Sequence, residues 1–437
     1  MNINNYVAAV ENADMYKYYG KVIRVVGLMI ESVGPEANVG EVCYIHTTKG
    51  KPILSEVVGF NEEKIVLMPY AEVIEIGPGC LVEATGGPLT VKIGRTLIGK
   101  VVDSMGNMLD ESPLPKGLMR FGTEQTPPNP LRREPIREPI QVGVKAVDAL
   151  LTVGRGQRMG IFAGSGVGKS TLLGMIARNS GADINVIALI GERGREVREF
   201  IENDLGEEGL KKSIVVVATS DEPALMRIKG AYTATAISEY FRDLGFQVNL
   251  MMDSVTRVAI AQREIGLATG EPPTTKGYTP SVFAILPKLL ERTGTSEKGT
   301  ITAFYTVLVD GDDMNEPIAD TVRGILDGHL VLDRKLAEQG QYPAINVLKS
   351  ISRVMKQVAG NDHQEIAREI RALMAIYEEN SELIQIGAYK QGTDRQIDKA
   401  IHYYPKIKAF LEQDIFEYHT LDDAIEMMHQ LLNGETT

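Results

Sequence analysis

Nine residues, Ala163-Gly164-Ser165-Gly166-Val167-Gly168-Lys169-Ser170-Thr171, constrain this chain more than any other stretch. They follow a short apolar run, Met159–Phe162, and open a mixed segment, Ser170–Arg178, that reads as a helix. A glycine-rich turn between strand and helix lets backbone N–H groups wrap an anion, and the helix N-terminus adds a favourable dipole. The spacing is that of a nucleotide phosphate loop, with Ala163 where glycine usually stands first. The change is mild, because the other glycines and the Lys-Ser pair are intact. In this reading Gly164, Ser165, Gly166, Val167, Gly168 and Thr171 help to bind the phosphates. Lys169 reaches the β- and γ-phosphates, and the Ser170 hydroxyl holds Mg²⁺.

The surrounding pattern supports the loop. Short, β-branched apolar runs recur at Val186–Ile190, Ile214–Ala218, Val248–Met252 and Ile301–Leu308, separated by longer mixed segments such as Ala224–Leu244. Strands buried on both faces with helices between them predict a parallel α/β sheet. Val248–Asp253 is an apolar strand ending in an acid, which is what a Mg²⁺-water ligand beside a phosphate loop requires. Gly191–Glu196 follows another strand at the end that borders the ligand crevice of such sheets. Glu192 is placed there to orient an attacking water, although the residues alone leave a solvated charged loop equally open. Tyr342 lies in a proline-containing loop, Gly340–Asn346, and could stack on a base. Arg353 ends Ser350-Ile351-Ser352-Arg353 and reads either as an arginine finger or, more simply, as a helix charge.

Outside this region the chain changes character. Residues 22–85 carry apolar clusters at Val22–Ile30, Val42–Ile45, Ile53–Phe60, Ile65–Met68 and Leu81–Ala84, divided by turn residues. This spacing predicts a small β-barrel. Seven prolines between Pro113 and Pro139 predict extended, loop-like chain. Taken alone, that stretch could be a linker. Thr96–Leu109 reads as a hairpin turning at Gly106-Asn107. Near the C-terminus Ile366, Ile370, Leu373, Met374 and Tyr377 fall on one helical face. Ile3, Tyr6, Val7 and Val10 have helical spacing too, and suit either a docking helix or a frayed terminus.

Composition narrows the function classes. With 46 basic and 58 acidic residues the formal charge is −12, a poor basis for coating nucleic acid. The two cysteines, Cys43 and Cys80, make no disulfide framework and suggest a reducing compartment. The histidines have no metal-ligand spacing. No apolar run approaches the length of a transmembrane helix, and the N-terminus does not read as a secretory signal.

Several blocks together resemble one family. Asp253–Ile265 (DSVTRVAIAQREI), Gly270–Tyr278 (GEPPTTKGY), Ile301–Thr306 (ITAFYT), Asp320–His329 (DTVRGILDGH) and Gly387-Ala388-Tyr389 resemble the rotary-ATPase α/β superfamily. Within it the chain is most similar to the ATPases of type III protein export, in their flagellum-specific branch, over nearly its whole length. The resemblance implies a multidomain α/β protein. A docking segment (1–20), a β-barrel (21–87), a RecA-like P-loop ATPase core with a parallel sheet (88–357) and a C-terminal helical domain (358–437) would follow in order. It implies a cytoplasmic homohexamer that hydrolyses ATP with Mg²⁺ at sites between neighbours, peripheral at the inner face of the cell membrane.

The resemblance also assigns roles. Glu192 falls where the family keeps its catalytic glutamate, with Arg193 beside it. Tyr342 matches the aromatic packed on adenine and Arg353 the arginine that reaches a neighbour's γ-phosphate, while Tyr389 is a candidate for the adenine side that the resemblance does not assign. Implied partners are a stator-like regulatory protein at the N-terminus, a central stalk protein, an export gate and export chaperone–substrate complexes, with no nucleic acid. The alternatives are a virulence-type export ATPase, a rotary synthase catalytic subunit and an RNA-dependent ring motor. Residues 1–90 lack the basic-aromatic platform that the last would need. A non-enzymatic scaffold would not carry Lys169, Ser170, Glu192, Asp253 and Arg353 together.

Overall fold

The computed structural model describes residues 18–433 of the 437, apart from 48, 49, 74, 310 and 312. The docking segment expected over 1–20, with Ile3, Tyr6, Val7 and Val10, lies outside the described residues as far as position 17. The chain forms two compact units. The first ends at Thr90 and takes in Leu267–Glu271; the second comprises Val91–Gly266 and Pro272–Thr437.

In the first unit the described residues make a closed barrel of six antiparallel strands: Tyr19–Val26, Met29–Val33, Glu41–His46, Ile53–Asn61, Lys64–Pro69 and Leu81–Pro88. Alternation sends Val22, Ile30, Ile45, Val57, Leu67 and Val82 inward as one apolar core. Closure leaves no long unpaired edge. The apolar run Val22–Ile30 is two strands rather than one. Val26 pairs with Met29 across the two-residue turn Gly27-Leu28, and Gly27 takes φ +56°, which glycine adopts without Cβ strain. Cys43 and Cys80 are buried, unpaired thiols. Burial, reinforced by Glu41, pushes the Cys43 thiol up to about 12, so it packs as a small apolar group.

The second unit is built on a large sheet. From one edge its strands run Ile351–Ser352, Gly328–Leu332, Arg158–Ala163, Thr300–Leu308, Gln247–Asp253, Ile184–Glu192, Ser213–Thr219 and Lys100–Asp103. All neighbours on this path are parallel except Ile351–Ser352, which is antiparallel to Gly328–Leu332. Every residue of Ile184–Glu192 is buried, as expected of a strand covered on both faces. The expected hairpin at 96–109 is only partly formed. Gly106-Asn107 does turn the chain, and Leu109 N–H donates to the Val101 carbonyl. Lys100–Asp103, however, finds its main partner in Ser213–Thr219, while Arg95–Leu97 is a short 3₁₀ turn.

The proline-rich segment belongs inside this unit. It is mostly extended and is pinned by side chains: Arg133 donates to the Thr293 carbonyl at 2.7 Å, and Lys229 meets Glu124 at 2.6 Å. Three long helices, Asn361–Gln385, Arg395–Leu411 and Leu421–Asn433, close the chain. Ile366, Ile370 and Leu373 are buried, and Met374 and Tyr377 pack partly buried against the same cluster. That cluster also contains Met159, Ile161, Leu172 and Leu173, so one apolar core ties the helices to the strand and helix flanking the phosphate loop.

Candidate active site

Arg158–Ala163 ends at the glycine-rich turn, and the helix Lys169–Asn179 begins directly after it. Gly166 and Gly168 take φ +76° and +88°, a left-handed backbone that glycine adopts without Cβ strain. The loop walls a cavity of about 460 Å³, lined by Gly164, Ser165, Gly166, Gly168, Lys169, Ser170 and Thr171. Glu192, Arg193, Glu196, Asp253 and Arg257 line it as well. Val167 differs from its neighbours in the loop: its side chain is buried in the apolar core, so only its backbone is available to a ligand.

The charges converge on Lys169. Its Nζ lies 2.6 Å from Asp253 Oδ1 and 3.4 Å from Glu192 Oε1. Burial works against the ammonium, but the two carboxylates outweigh it and hold the lysine above its ordinary value. Glu192 stands at the end of a fully buried strand. Burial, then the Asp253 charge, push its carboxyl up to about 7, against the opposing pull of Lys169 and Arg257. A carboxyl poised near neutrality can take or orient a proton of water.

The other expected residues are dispersed. Arg193 is exposed, lies 3.6 Å from Glu196, and faces the cavity mouth. Tyr342 is half exposed, and its ring lies against the end of the phosphate loop. A Cβ built on Gly168 would stand 3.4 Å from ring atoms Cδ1 and Cε1. The Tyr342 carbonyl accepts from the Gln413 N–H at 2.9 Å, so the loop is tied to the C-terminal helices. Arg353 is exposed just after the edge strand Ile351–Ser352, where its Nη2 donates to the Arg323 carbonyl at 3.3 Å. It does not line the phosphate cavity of its own chain. Tyr389 sits between two C-terminal helices with its hydroxyl 2.9 Å from Asp398, and it too is not part of that lining.

Comparison with known proteins places this geometry. The profile of the ATP synthase alpha/beta family, nucleotide-binding domain, matches residues 143–352, and the β-barrel domain of the same family matches 22–86. The profile of the T3SS EscN ATPase C-terminal domain matches 359–430. The chain is 64% identical to the flagellum-specific ATP synthase of Bacillus subtilis (strain 168), over 100% of both chains. The chain belongs to the ATP synthase alpha/beta family. Within it, it is a P-loop ATPase of the flagellar type III export branch. It is also 50% identical to the type 3 secretion system ATPase of Xanthomonas euvesicatoria, covering 94% of this chain and 93% of that one. Among solved structures it is similar to the assembled ATPase EscN in complex with its central stalk EscO, from the enteropathogenic E. coli type III secretion system. The TM-score is 0.88 at 45% identity, covering 94% of this chain and all of that one.

Beyond the residues expected from sequence, Arg257 and Glu196 line the cavity, and the buried Thr306 contacts Asp253. Arg257, in the helix Val255–Ala268 that follows the Asp253 strand, sets its Nη2 3.4 Å from Glu192 Oε2. Glu196 shares a hydrogen bond with Glu192, which lowers the Glu196 carboxyl. Thr306, fully buried on the strand between the phosphate-loop strand and the Asp253 strand, donates from Oγ1 to Asp253 Oδ1 at 2.7 Å. Thr306 becomes visible only through strand order.

The donor set also bears on metal. Among the described residues no group of three or more His, Cys, Asp or Glu converges on one point. Ser170 and Asp253 offer hard oxygen donors, and a cationic group, the Lys169 ammonium, already lies against Asp253. Mg²⁺ keeps several waters and takes most of its other ligands from substrate phosphates, so a sparse oxygen set fits it.

Proposed function

We propose that this chain hydrolyses MgATP as a homohexameric ring that energises flagellar protein export. The observation that carries the reading is the convergence of Lys169, Glu192 and Asp253 at the mouth of the phosphate loop. Lys169 and the loop amides of residues 164–171 hold the β- and γ-phosphates. The Ser170 hydroxyl and the Asp253 carboxylate hold Mg²⁺, which when bound neutralises phosphate charge. Glu192 orients the attacking water and receives its proton. Arg193, at the cavity mouth, supports the γ-phosphate side. Tyr342 packs on adenine beside Gly168.

Arg353 acts on a neighbouring subunit. Its exposure, and its absence from the lining of its own phosphate cavity, support this. The phosphoryl transition state spreads charge over three oxygens, which a guanidinium from outside can stabilise. Hydrolysis then depends on ring assembly.

The ring turns its conformational changes on a central stalk protein and on export chaperone–substrate complexes, releasing cargo toward an export gate. A stator-like regulatory protein binds the N-terminal segment. The protein works in the cytoplasm, held peripherally at the inner face of the membrane through partners. Among the described residues no helix is long and apolar enough to cross a membrane.

The test is extracellular flagellin from a strain whose only copy carries Glu192→Gln, with mutant protein level checked. Loss of secreted flagellin while it is still made inside the cell is the expected result. Normal secretion, with the purified variant still inactive as an ATPase, would place the enzyme in another export system.

A further inference from the structure

Thr306, like Thr302, is a buried threonine in an otherwise largely apolar strand. Thr300–Leu308 is buried along almost its whole length, and Thr306 is completely so. A buried hydroxyl is costly unless it is bonded, and valine would fill the same space without that cost. The hydroxyl therefore has to be explained by its partner. That partner is Asp253: Thr306 Oγ1 donates to Oδ1 at 2.7 Å, with the Met252 carbonyl a longer second acceptor at 3.3 Å.

Strand register makes this contact. Ile161 of the phosphate-loop strand lies opposite Thr306, and on the other side Met252 lies opposite Tyr305. Thr306 thus stands between the strand that launches the loop and the residue that ends the next strand. Lys169 Nζ reaches the same oxygen, Asp253 Oδ1, at 2.6 Å. When a phosphate takes the Lys169 ammonium, the Thr306 hydrogen bond still holds Oδ1. A β-branched side chain has few χ1 choices, so the threonine points its hydroxyl in one direction. The same strand also grips the next turn, where Leu308 N–H donates to Thr256 Oγ1 at 2.8 Å.

We propose that Thr306 is a positioning residue for Asp253. By committing Oδ1 it presents Oδ2 in one fixed direction, toward metal-bound water. This rests on the reading of Asp253 as a Mg²⁺-side ligand. Partners that orient a metal ligand typically change metal affinity by about 10–100-fold when removed.

The experiment titrates full-length protein with a fluorescent, non-hydrolysable ATP analogue, in EDTA and at rising Mg²⁺. Wild type is compared with Thr306→Val, Thr306→Ser and Asp253→Asn. In Thr306→Val the half-saturating Mg²⁺ concentration should rise about tenfold. Its affinity for the analogue in EDTA should be unchanged, and Thr306→Ser should behave like wild type. A wild-type Mg²⁺ response in Thr306→Val overturns the proposal. So does an equal loss with and without Mg²⁺, which would mean a general packing defect. Asp253→Asn separates the two readings. If it loses the Mg²⁺ response while Thr306→Val keeps it, only the role of Thr306 fails. If Asp253→Asn keeps the response, the metal reading of Asp253 fails, and the proposal with it. Should the valine variant not fold, Thr306→Ala against Thr306→Ser gives the same comparison: a raised half-saturation in alanine alone is expected, and equal responses overturn the proposal.

Discussion

Lys169 and Asp253, 84 residues apart in sequence, meet at 2.6 Å across the head of the parallel sheet. The phosphate-loop lysine is thereby held by two carboxylates, with Glu192 at 3.4 Å the second. A phosphate oxygen that takes the ammonium must displace part of that arrangement. Asp253 and Glu192 are then relieved of a shared cation, which suits one to a metal and the other to water.

Glu192 predicts a pH dependence. Its carboxyl is pushed up to about 7, so it is neutral well below that pH and ionised above it. Only the ionised form accepts a proton from water. The kcat/KM for ATP should therefore rise with pH through an inflection near 7, because that ratio reports the free enzyme. Glu192→Gln should remove the inflection and lower kcat by about 10²–10⁴-fold while leaving nucleotide binding in place. A wild-type profile that is flat between pH 6 and 8.5 would contradict the assignment.

Arg353 predicts complementation. Rings made only of Lys169→Ala or only of Arg353→Ala should be nearly inactive, the latter by about 10³–10⁵-fold if the finger acts as in GTPases. Mixed rings contain interfaces that pair an intact phosphate loop with an intact arginine. ATPase assays on mixtures shown to co-assemble should regain activity; no regain counts against a finger in trans.

Tyr342 predicts a split in the kinetics. Removing a ring stacked on a base costs about 1–3 kcal/mol of binding. Tyr342→Ala should thus raise KM for ATP by roughly tenfold or more and change kcat little, with Tyr342→Phe close to wild type. A fall in kcat at unchanged KM would show that the tyrosine supports the loop rather than the base.

A fourth prediction concerns stability alone. Arg292 and Glu239 are both 1% exposed and make a two-pronged pair, Nε to Oε1 at 3.0 Å and Nη2 to Oε2 at 2.6 Å. The guanidinium also lies over the Tyr232 ring at 5.4 Å. Glu239→Ala leaves a buried cation without its carboxylate, a loss of about 3–5 kcal/mol. Denaturant unfolding should show a markedly lower midpoint for Glu239→Ala than for Glu239→Gln, which keeps one acceptor. Equal midpoints would mean that the acceptor kept by glutamine contributes nothing and that the loss comes from the charge both variants lack.

Much of this was legible from local pattern. The phosphate loop, the strand ending at Asp253 and the strand leading to Glu192 are each written within ten residues or so. Glycine permissiveness and β-branched burial act at that range. The barrel strands were legible for the same reason, except at Val22–Ile30. There an apolar run continues through a hairpin, because Gly27 turns the chain without any break in hydrophobicity. The hairpin expected at 96–109 forms across Val101–Leu109, while Lys100–Asp103 also serves as the edge strand of the parallel sheet, a long-range pairing that local pattern does not carry.

By itself, then, the sequence determined which chemistry this protein carries: a phosphate loop, two acidic strand ends, and the blocks that mark its family. Tertiary structure alone decided who stands beside whom. It set Thr306 against Asp253, brought Arg257 to Glu192, laid Tyr342 on Gly168, and left Arg353 outside the cavity of its own chain. The physical reason is that the order and register of parallel strands are settled by how helices pack across the whole sheet, and no short stretch of chain encodes that arrangement.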